Sequence, residues 1–174
     1  MTQFFAEYGL AAVFGFVLLE QLGAPIPALP VVLLAGAKAA EDPVRGVYAL
    51  AVAILACTVA DSAWFWAGWR YGYRVLKLLC RVAISPDSCV SRTEGAYQRR
   101  GVATLVIAKF VPGLATVAPP VAGALGLATS SFLLFNALGA ALWAGAALAL
   151  GLVFHGQIDW LVQGLAELGG YATL

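Results

Sequence analysis

Charge is scarce in this chain. Only 11% of its 174 residues are Asp, Glu, Lys or Arg, against about 25% in an ordinary soluble domain. Hydrophobic residues make up 62%, and the mean hydropathy is +0.89. A soluble domain of this size cannot hide so much apolar surface, so the class is integral membrane protein. Histidine is nearly absent. His155 is the only one, which removes the usual zinc sets. It stands at a helix end and reads as a surface or capping residue. With no nucleophile–base pair, phosphate loop or metal cluster, no enzyme is expected, and no catalytic residue, metal or cofactor is assigned. The net charge of +1 calls for no polyanion, so nucleic acid is not an expected partner. No basic residue precedes Lys38, so the beginning does not read as the charged region of a signal peptide. No Lys or Arg follows His155. Cysteines are three. Cys57 falls in an apolar helix, while Cys80 and Cys89 flank a Ser85-Pro86-Asp87 turn. Their nine-residue spacing matches no metal motif, and a reducing compartment argues against a lasting disulfide. They read as small buried residues, with a redox or sulfur-handling pair as the alternative.

What the chain does have is proline and glycine inside its apolar stretches. The first stretch, Tyr8 to Ala37, is broken by Gly23, Pro25, Pro27 and Pro30, with Glu20 beside the break. The second, Gly101 to Leu127, is broken by Pro112, Gly113, Pro119 and Pro120, with Lys109 and Thr116 in the break. Tyr8 and Glu20 are twelve residues apart, as are Arg100 and Pro112. As helix that is about 18 Å, roughly half of a bilayer core. Both are read as re-entrant hairpins, with two kinked ordinary spans as the alternative. Irregular backbone at that depth must line protein or water, and proline frees backbone polar groups there. Each break is followed by a long apolar helix, Val44 to Trp69 and Leu127 to Phe154. The expected fold is thus all-α and polytopic: an inverted repeat of hairpin plus transmembrane helix in one membrane domain. Its parts are a first half (1–69), a connector (70–100), a second half (101–155) and a terminal surface helix (156–174), with Trp160 as an interfacial anchor.

Seven of the ten basic residues lie between Arg70 and Arg100. By the positive-inside rule this connector faces the cytoplasm. Ser85-Pro86-Asp87 predicts a break and then an interfacial helix from Ser88 to Gln98. Small residues recur at Ala137, Ala141 and Gly145, and at Gly139 and Ala147 beside Trp143. Such faces let helices approach closely in lipid and are compatible with a homodimer.

Three charges fall inside apolar segments: Glu20, Asp61 and Lys109. Each costs about 2.5–3.5 kcal/mol on insertion scales. Glu20 and Asp61 suit a proton path. Lys109 suits an anionic head group, and Arg70 stands at the cytoplasmic mouth. A structural pairing of Glu20 or Asp61 with Lys109 is the alternative.

These residues resemble the DedA family, whose module is also called the VTT or SNARE-associated domain. The resemblance rests on Glu20-x-x-Gly23-x-Pro25-x-Pro27, on Ala60-Asp61 with Trp66-x-Gly68-x-Arg70-x-Gly72, and on Lys109-Phe110-Val111-Pro112-Gly113 leading to Gly123. Phe132, Asn136, Gly139 and Trp143 match the family's final helix as packing residues. The resemblance implies opposed re-entrant hairpins and transport of lipid, with polyprenyl phosphate or phosphatidylethanolamine-like cargo and proton coupling. It implies proton or cargo roles for the acids matching Glu20 and Asp61. One departure is Ala115, where many members carry a second Arg. A single amine lacks the bidentate fork that two guanidiniums offer phosphate. The expected function is a lipid flippase or scramblase. Alternatives are a small-anion or ion transporter at the same site, or a thiol oxidoreductase using Cys80 and Cys89.

Overall fold

Asp42 and Pro43 start the longest helix. The Asp42 side chain accepts the Arg45 N–H at 3.2 Å, satisfying one of the orphan donors of a first turn. Pro43 follows where a missing N–H costs nothing. In the computed structural model, residues 2–72, 74–76, 86–111 and 114–157 are described, and all their regular structure is helical. The helices are α1 (Thr2–Gln21), α2 (Leu29–Lys38), α3 (Pro43–Tyr71), α4 (Pro86–Arg100), α5 (Thr104–Ala108), α6 (Leu114–Ala124) and α7 (Thr129–Val153). A 3₁₀ turn, Gly101–Ala103, leads into α5.

Among the described residues α3 and α7 are long and apolar enough to cross a membrane, at nearly the expected boundaries. Large apolar side chains stay exposed along both, including Leu55, Trp66 and Trp69 on α3 and Leu134, Leu138 and Leu142 on α7. In water such stripes would be an association liability; against lipid they are the solvated face.

The breaks are where the sequence placed them, but their limits differ. α1 runs to Gln21 and stops at Gly23, whose φ of +100° suits only a residue without Cβ. Gly23 N–H bonds Glu20 C=O and Ala24 N–H bonds Leu19 C=O, both at 2.9 Å, the paired bonds of a Schellman stop. Gly126 (φ +70°) ends α6 with the same pair of bonds. α1 is also longer than the expected twelve-residue limb: its 20 residues measure about 30 Å. The limb into the second break is shorter and mixed, a 3₁₀ turn and five α residues, rather than a helix from Arg100 to Pro112. Pro25 and Pro27 lie exposed in the first break, whereas Pro30 falls in the first turn of α2. Pro119 and Pro120 are not at a tip; they are buried inside α6. The Tyr97 hydroxyl donates to Ala118 C=O there at 3.0 Å, tying α4 to α6; the carbonyls that the two prolines deprive of donors are those of Ala115 and Thr116.

Packing between the halves is reciprocal. α2 lies along α7, α6 lies along α3, and α3 packs on α7. Each of the first two crossings has a glycine on both helices. A Cβ on Gly36 would collide with the Leu148 backbone and one on Gly151 with the Leu33 backbone. A Cβ on Gly68 would collide with Pro120 and one on Gly123 with Phe65. On α7 the buried positions include Asn136, Gly139, Ala140, Ala144 and Ala147. The Gly139/Ala147 face is therefore the packed one; Ala137, Ala141 and Gly145 are only half-buried. α4 covers the residues expected of the connector helix, and it packs on α6. The Cys80 position, the Cys89 side chain, Pro112, Gly113 and the expected terminal helix beyond Gln157 lie outside the described residues.

Candidate functional site

Two apolar cores form. One joins Val13 and Val17 to Ala53, Cys57, Ala140 and Ala144. The other joins Phe65, Leu105, Ala118, Val121 and Phe132, with Phe65 and Phe132 stacked at 4.2 Å between centroids. On α3, Asp61 falls between Cys57 and Phe65; on α7, Asn136 falls between Phe132 and Ala140. A polar layer is thus sandwiched between the two cores.

At its centre Lys109 Nζ donates to Asp61 Oδ2 at 2.5 Å and to Gln21 Oε1 at 2.8 Å. Both charged side chains are almost fully withdrawn, 2% and 0% exposed. The contact brings the two chain breaks together, since Gln21 ends α1 and Lys109 follows α5. Its depth follows from the helices. Asp61 lies ten residues before Tyr71, and Gly139, which touches Lys109, lies ten residues after Thr129. Each distance is about 15 Å of helix, half of a bilayer core.

Local structure explains the convergence. The Schellman stop leaves Glu20 and Gln21 in the last turn of α1, and Trp64 Nε1 donates to the Gln21 carbonyl at 3.2 Å. That indole caps a carbonyl which the helix end would otherwise orphan. Ala28, fully buried, brings its backbone N–H toward the Glu20 carboxylate. Glycine at 139 makes room for the lysine: a Cβ there would sit 3.0 Å from the Val106 backbone and 3.3 Å from Lys109 Cγ.

Several polar atoms of this layer are buried with no hydrogen-bond partner: Glu20 Oε2, Asp61 Oδ1, and both amide atoms of Asn136. Asn136 lies near enough to act on the Asp61 carboxylate, but without a bond of ordinary geometry. Lys109 acts electrostatically on Glu20 as well. The inventory is two carboxylates and two amides around one ammonium, with acceptors left over. Buried polar groups in folded proteins are overwhelmingly paired, so this excess is the chemical signature of the site. Such a set can bind a cation or proton at its free oxygens and exchange an ion pair for one with a ligand.

The expected residues distribute unevenly. Glu20, Asp61 and Lys109 come together, and of the pairings considered it is Asp61 that takes Lys109. Asn136 and Gly139, expected as packing residues, belong to the site. Trp143 packs against the first core, and Thr116 is half-buried on α6. Arg70 is exposed at the end of α3, with its guanidinium 5.7 Å from the Tyr71 ring centroid. It is not part of the buried cluster. His155 Nδ1 bonds the Leu152 carbonyl at 2.9 Å, the expected capping role. Gln21 was missed because only ionisable residues were sought in the apolar segments. An uncharged amide adjoining Glu20 was the available signal. Among the described residues no cluster of His, Cys, Asp and Glu could hold a metal.

Apolar spanning helices with a charged layer at mid-depth define an integral membrane protein of the interrupted-helix kind. The VTT domain model matches residues 26–153, and the chain belongs to this family, the DedA family. It is 29% identical to an uncharacterized membrane protein of Synechocystis, covering 92% of this chain and 73% of the relative. Identity is 31% to an uncharacterized membrane protein of Mycobacterium tuberculosis (87% and 75% covered). It is 30% to Protein DedA of Escherichia coli (82% and 68% covered). No solved structure matches the chain.

Proposed function

We propose that this protein transports a phosphate-headed membrane lipid, polyprenyl phosphate or phospholipid, between leaflets. The head group passes the Glu20, Gln21, Asp61, Lys109 and Asn136 layer while the tails stay in lipid. The observation that carries this reading is the buried Lys109–Asp61 pair at the meeting of two helix breaks, ringed by unpartnered acceptors. A purely structural pin would be expected to satisfy its own atoms. Intramembrane charge marks a pathway by default, and interrupted segments meeting at mid-depth mark a transport site. Two carboxylates for one ammonium also support proton coupling: a proton on Glu20 or Asp61 balances the layer when Lys109 turns to a phosphate. The two halves are read as re-entrant hairpin plus span in inverted orientation, with residues 70–100 on the cytoplasmic side. Reciprocal packing of α2 on α7 and α6 on α3 supports that arrangement.

Proteoliposomes holding labelled phospholipid or polyprenyl phosphate, with and without a pH gradient, test the reading. Wild-type protein should move at least one of these lipids. Lys109→Met should abolish movement, and Glu20→Gln and Asp61→Asn should remove its dependence on the gradient. Unaltered transport in all three variants, or none by wild type, would overturn the proposal.

A further inference from the structure

A second polar feature lies apart from the buried layer. Where α4 meets α5, a half-open cavity of about 430 Å³ is lined by Arg99 and Arg100 on one side and Thr104, Ile107 and Leu114 on the other. Gly95 and Ala96 complete its lining. Each arginine follows one of these small residues by four positions, and both line the cavity. Gly95 has nothing within 4 Å of where a Cβ would stand. Its bareness keeps the cavity open and admits no neighbour. Among the described residues no carboxylate lines the cavity; Glu94, next on α4, has an interaction of its own.

Thr104 is the independent pointer to a ligand. It is 1% exposed and its Oγ1 has no hydrogen-bond partner. A helical threonine normally bonds the carbonyl four residues back, as Thr58 does to Ile54 at 2.7 Å. For Thr104 that carbonyl belongs to Arg100, which sits outside helical geometry at φ −121°, ψ −2°. The hydroxyl is thus left without a partner in a residue that lines the cavity, and such burial is costly.

We propose that this cavity binds a phosphate group. Two guanidiniums and a hydroxyl are the donors that phosphate oxygens take. The space exceeds a bare phosphate, and Ile107 and Leu114 give it an apolar wall for the first carbons of a lipid tail. The source is either a lipid head group or soluble phosphate, and the site stands whether or not the buried layer transports anything.

The test is binding by the full chain in nanodiscs of phosphatidylcholine. The probes are fluorescent short-chain phosphatidate, the matching uncharged diacylglycerol, and inorganic phosphate as competitor. Phosphatidate should bind and diacylglycerol should not. Arg99→Gln with Arg100→Gln should weaken binding about tenfold or more, as expected for lost charge-assisted bonds. Thr104→Val, which removes only an unpaired hydroxyl and should fold normally, should weaken it several-fold. Arg74→Gln, at an exposed arginine away from the cavity, should not. Displacement by inorganic phosphate at similar affinity assigns the soluble source; a strong preference for phosphatidate assigns the lipid. Equal binding by the wild-type and Thr104→Val proteins, equal retention of diacylglycerol, or an equal loss in Arg74→Gln overturns the proposal. Lys109→Met should bind normally here while losing transport, which separates failure of this site from failure of the transport reading.

Discussion

At the scale of single residues, Lys109 carries the most consequence. Its ammonium answers two buried oxygens directly, Asp61 Oδ2 and Gln21 Oε1. Removing one partner of a buried ion pair leaves the other uncompensated, at a cost of about 3–5 kcal/mol. Lys109→Met should therefore lower the unfolding midpoint in detergent sharply. Asp61→Leu combined with Lys109→Met should recover most of that loss, because isosteric apolar pairs often replace buried ion pairs without penalty. Transport should stay dead in the double variant. If it is as unstable as Lys109→Met alone, the stability does not reside in isolated charge. Asn136 offers the converse case. Both its amide atoms lack partners, so Asn136→Leu should leave thermal stability equal or higher while impairing transport. The charged members of this layer were legible in the sequence, since a carboxylate in an apolar run stands out. Which of them pair, and that Gln21 and Asn136 join them, was not: Gln21, Asp61 and Asn136 come from three helices, and only folding makes them neighbours.

At the scale of elements, glycine at the crossings decides how close helices come. Gly68 and Gly123 each admit the backbone of the opposite helix. Gly68→Val or Gly123→Val should cost about 1–3 kcal/mol, the range for overpacking, read as a lowered unfolding midpoint. Gly145→Ala, with nothing within 4 Å of the added methyl, should be nearly silent. Tyr97 is a second joint. Burial, with a smaller contribution from the Asp61 charge, pushes its phenol above the ordinary value, so it remains a donor to Ala118. Tyr97→Phe should destabilise by about 0.5–1.5 kcal/mol, the net worth of one hydrogen bond, because the Ala118 carbonyl keeps its helical donor at Ala122. The proline pair at 119 and 120 shows where pattern reading falls short. The two prolines remove donors only from the Ala115 and Thr116 carbonyls, and close packing on α3 keeps α6 helical across them.

At the scale of the molecule, the halves hold each other. α2 rests on the span of the second half and α6 on that of the first, so neither half buries its own returning limb alone. The proposed topology has a direct consequence for labelling. On a background without native cysteines, Glu41→Cys should react with an impermeant maleimide from outside. Gln98→Cys and Ala128→Cys should react only from the cytoplasmic side. Labelling of Ala128→Cys from outside would make the second break part of a full crossing and remove the re-entrant reading.

Membrane residence, two long spans, two breaks and three charges inside apolar segments were determined by the sequence alone. Each depends on local composition: apolar length, backbone-disrupting proline and glycine, and the cost of charge in hydrocarbon. Which carboxylate meets Lys109, that two amides join them, and that Thr104 lines one cavity with Arg99 and Arg100 were decided by tertiary structure. Those facts depend on helix crossings as close as glycine allows, and a linear pattern does not encode which faces meet.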